Sequence, residues 1–299
     1  MPHRSEEQLR QRIKDLELEI QDREKDIGVF RKELSTANRK LEGLISELNY
    51  ELKIMHAVQR QLVPTEIPNI PGFEFSMKFV PSHLRGGDYF DVFEHQDRSH
   101  FGIIVASCSG HMMSAMLLSV LLKMTGRLEA RKGTEPHLIM KMIADELQPT
   151  IESAEDTADV FYGLFDRRQF NLSYCKVGNI SSMLHEYSSG ELKLLKSKSG
   201  PLSKTSPTTF ETHVVPLNPR DKMIFCTKGI AESRNLEGQE FGQDRLFKSV
   251  LEYSSRGVHE LRNQIFYQVH QFTNGQEPPA DRTAVVAEVK DRVIKLAKK

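Results

Sequence analysis

The 299-residue chain predicts an α+β domain carried behind a long coiled-coil helix. Three observations point there: a proline-free N-terminal stretch with a seven-residue apolar period, a knot of prolines that ends it, and a series of short β-type segments interrupted by paired helical stretches. With 38% of its residues hydrophobic, the chain can fill a sizeable core.

The N-terminal stretch runs from Leu9 to Leu62 without a proline. Its a positions are Ile13, Ile20, Ile27, Leu34, Leu41, Leu48, Met55 and Leu62, all apolar. The d positions are Leu9, Leu16, Arg23, Phe30, Ala37, Leu44, Glu51 and Val58, of which two are charged. A lone amphipathic helix drifts by about 20° per heptad from a fixed seam, so a period kept this long calls for a partner helix. At ~1.5 Å per residue such a rod is about 80 Å long. Isoleucine at the early a sites beside Leu9 and Leu16 at d favours a parallel homodimer whose seam is Ile13, Ile20, Ile27, Leu34, Leu41, Leu48 and Met55. Arg23, Gly28, Gly43 and Glu51 weaken that seam locally. The competing reading is one long helix packed on its own domain.

Pro64, Pro68 and Pro71 stop the helix, and Gly72 opens a different texture. The expected division is therefore 1–63, helix and linker, and 64–299, the globular domain. Strands are expected at Phe73 to Val80, Phe101 to Ala106, Val160 to Phe165, Phe170 to Cys175, Met223 to Cys226 and Thr283 to Val289. Helices are expected at Met112 to Glu129, Pro136 to Glu152, Asp244 to Tyr253 and Val258 to Phe272. Strands, inserted helices and strands again favour a layered α+β domain over a doubly wound one.

Composition narrows the partners. Lys plus Arg and Asp plus Glu number 41 each, so no net field draws the chain to nucleic acid or anionic lipid. No apolar run approaches the ~20 residues of a membrane span. Cys108, Cys175 and Cys226 lie far apart in apolar surroundings, with no C-x-x-C pair. Buried reduced thiols and a cytoplasmic location are the expectation.

Eight short motifs in order carry a resemblance. They are Val58 to Pro64, Gly86-Gly87-Asp88-Tyr89-Phe90-Asp91, Ser109-Gly110-His111, Tyr162-Gly163 with Asp166, Val177-Gly178-Asn179, Thr227-Lys228-Gly229-Ile230-Ala231-Glu232, Phe241-Gly242 and Ala280-Asp281-Arg282-Thr283. Together they resemble bacterial PPM-type (protein phosphatase 2C-like) serine/threonine phosphatases of the sporulation-protein-E and RsbU kind, over about 240 residues, from near Leu52 to near Lys290. The resemblance implies an α/β/β/α sandwich, two packed antiparallel sheets flanked by helix pairs. It also implies phosphoserine or phosphothreonine hydrolysis by two Mn²⁺ or Mg²⁺ ions held by aspartates.

By that resemblance the ligand aspartates fall at Asp88, Ser107, Lys228 and Ala280, and the first alone is an aspartate. Hard divalent ions take about six oxygen ligands, and paired ions sit ~3.5–4 Å apart, so the site needs carboxylates. Four carboxylates would carry −4, whereas Asp88 and Lys228 sum to −1 + 1 = 0. Serine offers a weak neutral oxygen, alanine none, and lysine three donors and no acceptor. No catalytic residue, no metal (Asp88 if any) and no cofactor are therefore expected. Two placements of the lysine stay open: an ion pair of Lys228 with Asp88, or a Lys228 that reaches solvent while Asp88 caps a turn. Arg85 and Lys228 are candidate anion binders, and His111 has no nucleophile to serve as base.

Three functions follow. The first is a pseudophosphatase regulator in a bacterial partner-switching or signalling pathway, a homodimer whose protein partner resembles a STAS-type anti-anti-sigma factor. The alternative is an active metal-dependent phosphoserine/phosphothreonine protein phosphatase with an altered Mn or Mg site. The third makes the coil the functional part. Because no sensor domain precedes the coil, input to a regulator is expected through the coil or another protein.

Overall fold

The computed structural model describes residues 3–62, 68–82, 87–110, 115, 117–124, 133–151, 153–197, 199–205 and 209–290. The chain divides into two compact units, Met1–Ala57 and Val58–Lys299. Among the described residues no helix is long and apolar enough to cross a membrane.

Helix α1 spans His3–Leu62. Ion pairs one turn apart support it, such as Arg23 to Glu19 at 2.9 Å, each contributing a few tenths of a kcal/mol. Its expected seam residues from Ile13 to Leu48 are all exposed. The side chain of Met55 lies outside the described residues, as do those of Val58 to Pro64.

Among the described residues the second unit holds ten strands: β1 Phe73–Val80, β2 Asp88–Glu94, β3 His100–Ser109, β4 Thr157–Asp166, β5 Asn171–Val177, β6 Ser181–His185, β7 Leu192–Leu194, β8 His213–Pro216, β9 Lys222–Cys226 and β10 Arg282–Val289. They form two five-stranded sheets, β1-β10-β9-β6-β7 and β2-β3-β4-β5-β8. Every neighbouring pair is antiparallel. Helices α2 (117–124), α3 Pro136–Leu147, α4 Lys228–Ala231, α5 Gly242–Tyr253 and α6 Val258–Phe272 accompany them.

Alternation along the strands creates three cores. Phe90, Val92, Phe101, Ile103, Phe161 and Phe165 from one sheet meet Phe225, Val285 and Ala287 from the other, which fuses the sheets face to face. The opposite face of the β2–β8 sheet packs Tyr89, Ile104, Val160 and Tyr162 against Leu118 and Leu122 of α2 and Ile139 and Ile143 of α3. The outer face of the β1–β7 sheet packs Ile224, Ala284 and Val286 against Val250 of α5 and Leu261 and Ile265 of α6. The result is the expected α/β/β/α sandwich.

Strand β1 and helix α6 have the expected limits. The helix expected to reach Glu152 instead ends at Leu147 and tightens into a 3₁₀ turn over Gln148–Thr150. Pro149 lies in that turn and has no N–H to continue the helical ladder. Strands β2, β6, β7 and β8 and the short helix α4 were not expected from the sequence. All three cysteines are free and buried, and burial pushes each thiol up to about 12.

Candidate functional site

Side-chain parity builds the site at one end of the sandwich, between the sheets. On β2, Phe90 and Val92 point to the inter-sheet core, so Asp88, in phase with them, points the same way. Ser107 is in phase with Ile103 and Val105, and Asp159 with Phe161 and Phe165. Register then sets Asp88 opposite Ser107 and Ser107 opposite Asp159, one row across three strands. From the facing sheet, Thr227 follows β9 in phase with Phe225, and Thr283 sits on β10 in phase with Val285.

Asp88 is 2% exposed. Its Oδ2 accepts hydrogen bonds from Thr227 Oγ1 at 2.6 Å and Thr283 Oγ1 at 2.7 Å. Burial pushes its carboxyl up to about 7, and the nearby Asp281 charge adds to the rise. The hydroxyls of Thr227, Ser107 and Thr283 oppose it by stabilising the anion. Asp281 is a carboxylate bound to main chain: Oδ1 accepts from the Ser82 amide at 2.8 Å, and Oδ2 from the amides of Gly87 at 2.9 Å and Asp88 at 3.2 Å. It therefore ties the main chain at Ser82 to that at Gly87 and Asp88, at the start of β2.

Lys228 begins α4 immediately after Thr227. Its Nζ donates to Asp159 Oδ2 at 2.8 Å and to Ser109 Oγ. Both members of the ion pair are largely withdrawn from water, Lys228 at 15% and Asp159 at 3% side-chain exposure. Asp159 Oδ1 accepts from the Asn179 amide at 2.9 Å, so both carboxylate oxygens are engaged. Two glycines make these approaches possible. A Cβ at Gly178, which has φ +70°, would collide with the Asp159 carboxylate, and one at Gly229 would collide with the Asp281 carbonyl oxygen.

The structure thus corrects the expected partner of the lysine. Lys228 pairs with Asp159 rather than Asp88, and Asp88 is held by neutral hydroxyls. Ala280 lies in the loop before β10, where its main-chain carbonyl, like that of Asp281, lies close to Gly229. Arg85 and His111 lie outside the described residues. Sequence reasoning missed Asp159, Thr227 and Thr283 as site groups. The signal for Asp159 was a carboxylate immediately before the apolar run Val160 to Phe165. Among the described residues, no group of three or more His, Cys, Asp or Glu side chains is arranged to hold a metal ion.

Two face-to-face antiparallel sheets between helical layers, with this aspartate row at one end, define a PP2C-like protein. Solved structures share the fold. The SiaA-PP2C domain of Pseudomonas aeruginosa matches with a TM-score of 0.67 and 18% identity, covering 82% of this chain and 98% of that one. A structure of RsbU and RsbW domains from Mycobacterium tuberculosis matches with a TM-score of 0.65 and 19% identity, over 78% and 64%. The PP2C phosphatase domain of SpoIIE from Bacillus subtilis, with a fragment of its regulatory domain, gives 0.60 and 16%, over 75% and 65%. The chain belongs to the Stage II sporulation protein E (SpoIIE) family, whose sequence profile matches residues 97–290. It is also 21% identical over 272 residues to Protein IcfG of Synechocystis sp. (strain ATCC 27184 / PCC 6803 / Kazusa), covering 79% of this chain and 43% of that protein. The chain therefore spans less than half the length of that relative.

Proposed function

We propose that this chain is a catalytically silent member of its family, a pseudophosphatase that acts by binding protein partners in a bacterial partner-switching or signalling pathway. The observation that carries the reading is the Lys228 ammonium, engaged by Asp159 and Ser109 where the family resemblance expects a ligand carboxylate. A divalent ion there would meet a cation in place of a ligand. The remaining donors do not fit two divalent ions either. Asp88 is engaged by hydroxyls, Asp281 by main-chain amides, and Ala280 offers no side-chain oxygen.

In this reading the sandwich is a docking body, with a STAS-type anti-anti-sigma factor or another signalling protein as its partner. Helix α1 pairs two copies through its exposed stripe, and the protein works in the cytoplasm. Support for the pairing is the unbroken run of exposed seam residues on a helix of 60 residues.

The test is Mn²⁺ calorimetry on the wild type beside a Ser107→Asp, Lys228→Asp, Ala280→Asp triple variant. The expected result is no Mn²⁺ binding by the wild type at physiological concentration and recovery of binding in the variant. Tight wild-type binding overturns the proposal. Phosphate release from a phosphoserine protein with Mn²⁺, lost in Asp88→Ala, would establish a working phosphatase instead.

A further inference from the structure

The apolar spacing of α1 changes partway along the helix. From Leu9 through Leu34 the seam residues alternate at steps of four and three, with Arg23 as the one charged member. Continued in the same frame, the seam would take Leu44 and then the charged Glu51. One residue later in each case stands an apolar residue, Ile45 and Leu52. Taken through those, the seam reads Leu41, Ile45, Leu48, Leu52 and Met55, apolar throughout and again stepping by four and three.

Joining the two frames takes steps of three, four and four from Leu34 through Ala37 and Leu41 to Ile45, which is 45 − 34 = 11 residues. Eleven residues in three turns is about 3.67 per turn, against 3.5 for a heptad, so the left-handed supercoil relaxes over this stretch. Two local features suit a departure from regular winding there. Gly43 lies inside it, and the Thr36 hydroxyl donates back to the Lys32 carbonyl at 2.9 Å, a bond that bends helices. Leu44 and Ile45 are both exposed, at 62% and 57%, so the helix by itself offers either to a partner.

We propose that two copies of this chain pair in parallel along α1 and that the seam changes frame between Leu34 and Ile45, so that Ile45 and Leu52, rather than Leu44 and Glu51, face the second copy. This rests on the dimer reading above. Flanking charge favours the parallel arrangement. Arg12 stands across from the partner's Glu17 and Asp26 from the partner's Arg31, against one like-charge pairing of Glu19 with the partner's Glu24.

Disulfide cross-linking of full-length single-cysteine-addition variants tests this, the native Cys108, Cys175 and Cys226 being buried. Ile20→Cys lies in the seam in either frame and reports the dimer itself. Ile45→Cys and Leu52→Cys are expected to cross-link at least about tenfold faster than Leu44→Cys and Glu51→Cys, because a disulfide needs closely opposed Cβ atoms. Equal or reversed rates overturn the frame change. Failure of Ile20→Cys to cross-link, with a monomer in sedimentation, overturns the dimer reading and this proposal with it.

Discussion

Asp88 and Asp159 stand on the same face of one sheet, in one register row with Ser107 between them, yet they are neutralised by opposite means. Asp159 has a lysine and a main-chain amide. Asp88 has hydroxyls and a second carboxylate nearby, and burial with that neighbouring charge raises its affinity for a proton. A single cation at the head of α4 serves one side of the pocket, while the other has hydroxyl donors and a carboxyl whose proton is held more tightly than usual. Position in a sheet does not set the state of a carboxylate; the atoms facing it do.

The comparison breaks most severely if the cation loses its partner. Asp159→Ala leaves the Lys228 ammonium withdrawn from water and uncompensated, which is expected to cost about 3–5 kcal/mol in denaturant unfolding. An Asp159→Leu, Lys228→Met double variant should recover most of that loss, because it removes both charges and keeps the volume.

A smaller effect comes from the other aspartate. Its folded value of about 7 lies above its ordinary value of 3.8, so the folded state binds this proton more tightly than the unfolded chain. The stability from that preference is complete below about pH 4 and is lost as pH rises through 7. Unfolding free energy is therefore expected to fall by about 2–4 kcal/mol between pH 4 and pH 8 from this group. Asp88→Asn, which keeps an acceptor for both threonines, should flatten that slope and be the more stable protein at pH 8. A wild type whose stability rose over the same interval, with no change in Asp88→Asn, would contradict the contrast.

The finest adjustment is Thr283→Val. It removes one hydroxyl donor at nearly constant volume, so a loss of about 1 kcal/mol at pH 8 is expected in the same unfolding measurement. The loss should shrink towards pH 5, where Asp88 is protonated and needs the donor less.

Much of the fold was legible because the apolar periodicity of the sequence is strong. Phe73 to Val80 and Val258 to Phe272 carry periods of two and 3.6 over eight and fifteen residues, and their limits emerged unaltered. Strands β7 and β8 have three and four residues with no fully buried side chain, so nothing local marked them. The site was legible by position and not by partner. Asp88, Ser107 and Lys228 do gather at one end of the sandwich, but the lysine's carboxylate comes from a strand whose expected start at Val160 excluded Asp159 by a single residue. Thr227 and Thr283 lie within motifs that were read, and their roles went unread because parity and register become visible only when two sheets face each other.

The exposed stripe of α1 has a consequence in amount rather than shape. In the proposed dimer, apolar surface covered by a second molecule ties the order of the helix to mass action, so its stability is expected to rise with protein concentration while that of the sandwich, built on its own three cores, is not. Abundance in the cell then acts as a variable for one part of the chain alone, and a dilution series followed by circular dichroism would separate the two parts without altering a residue.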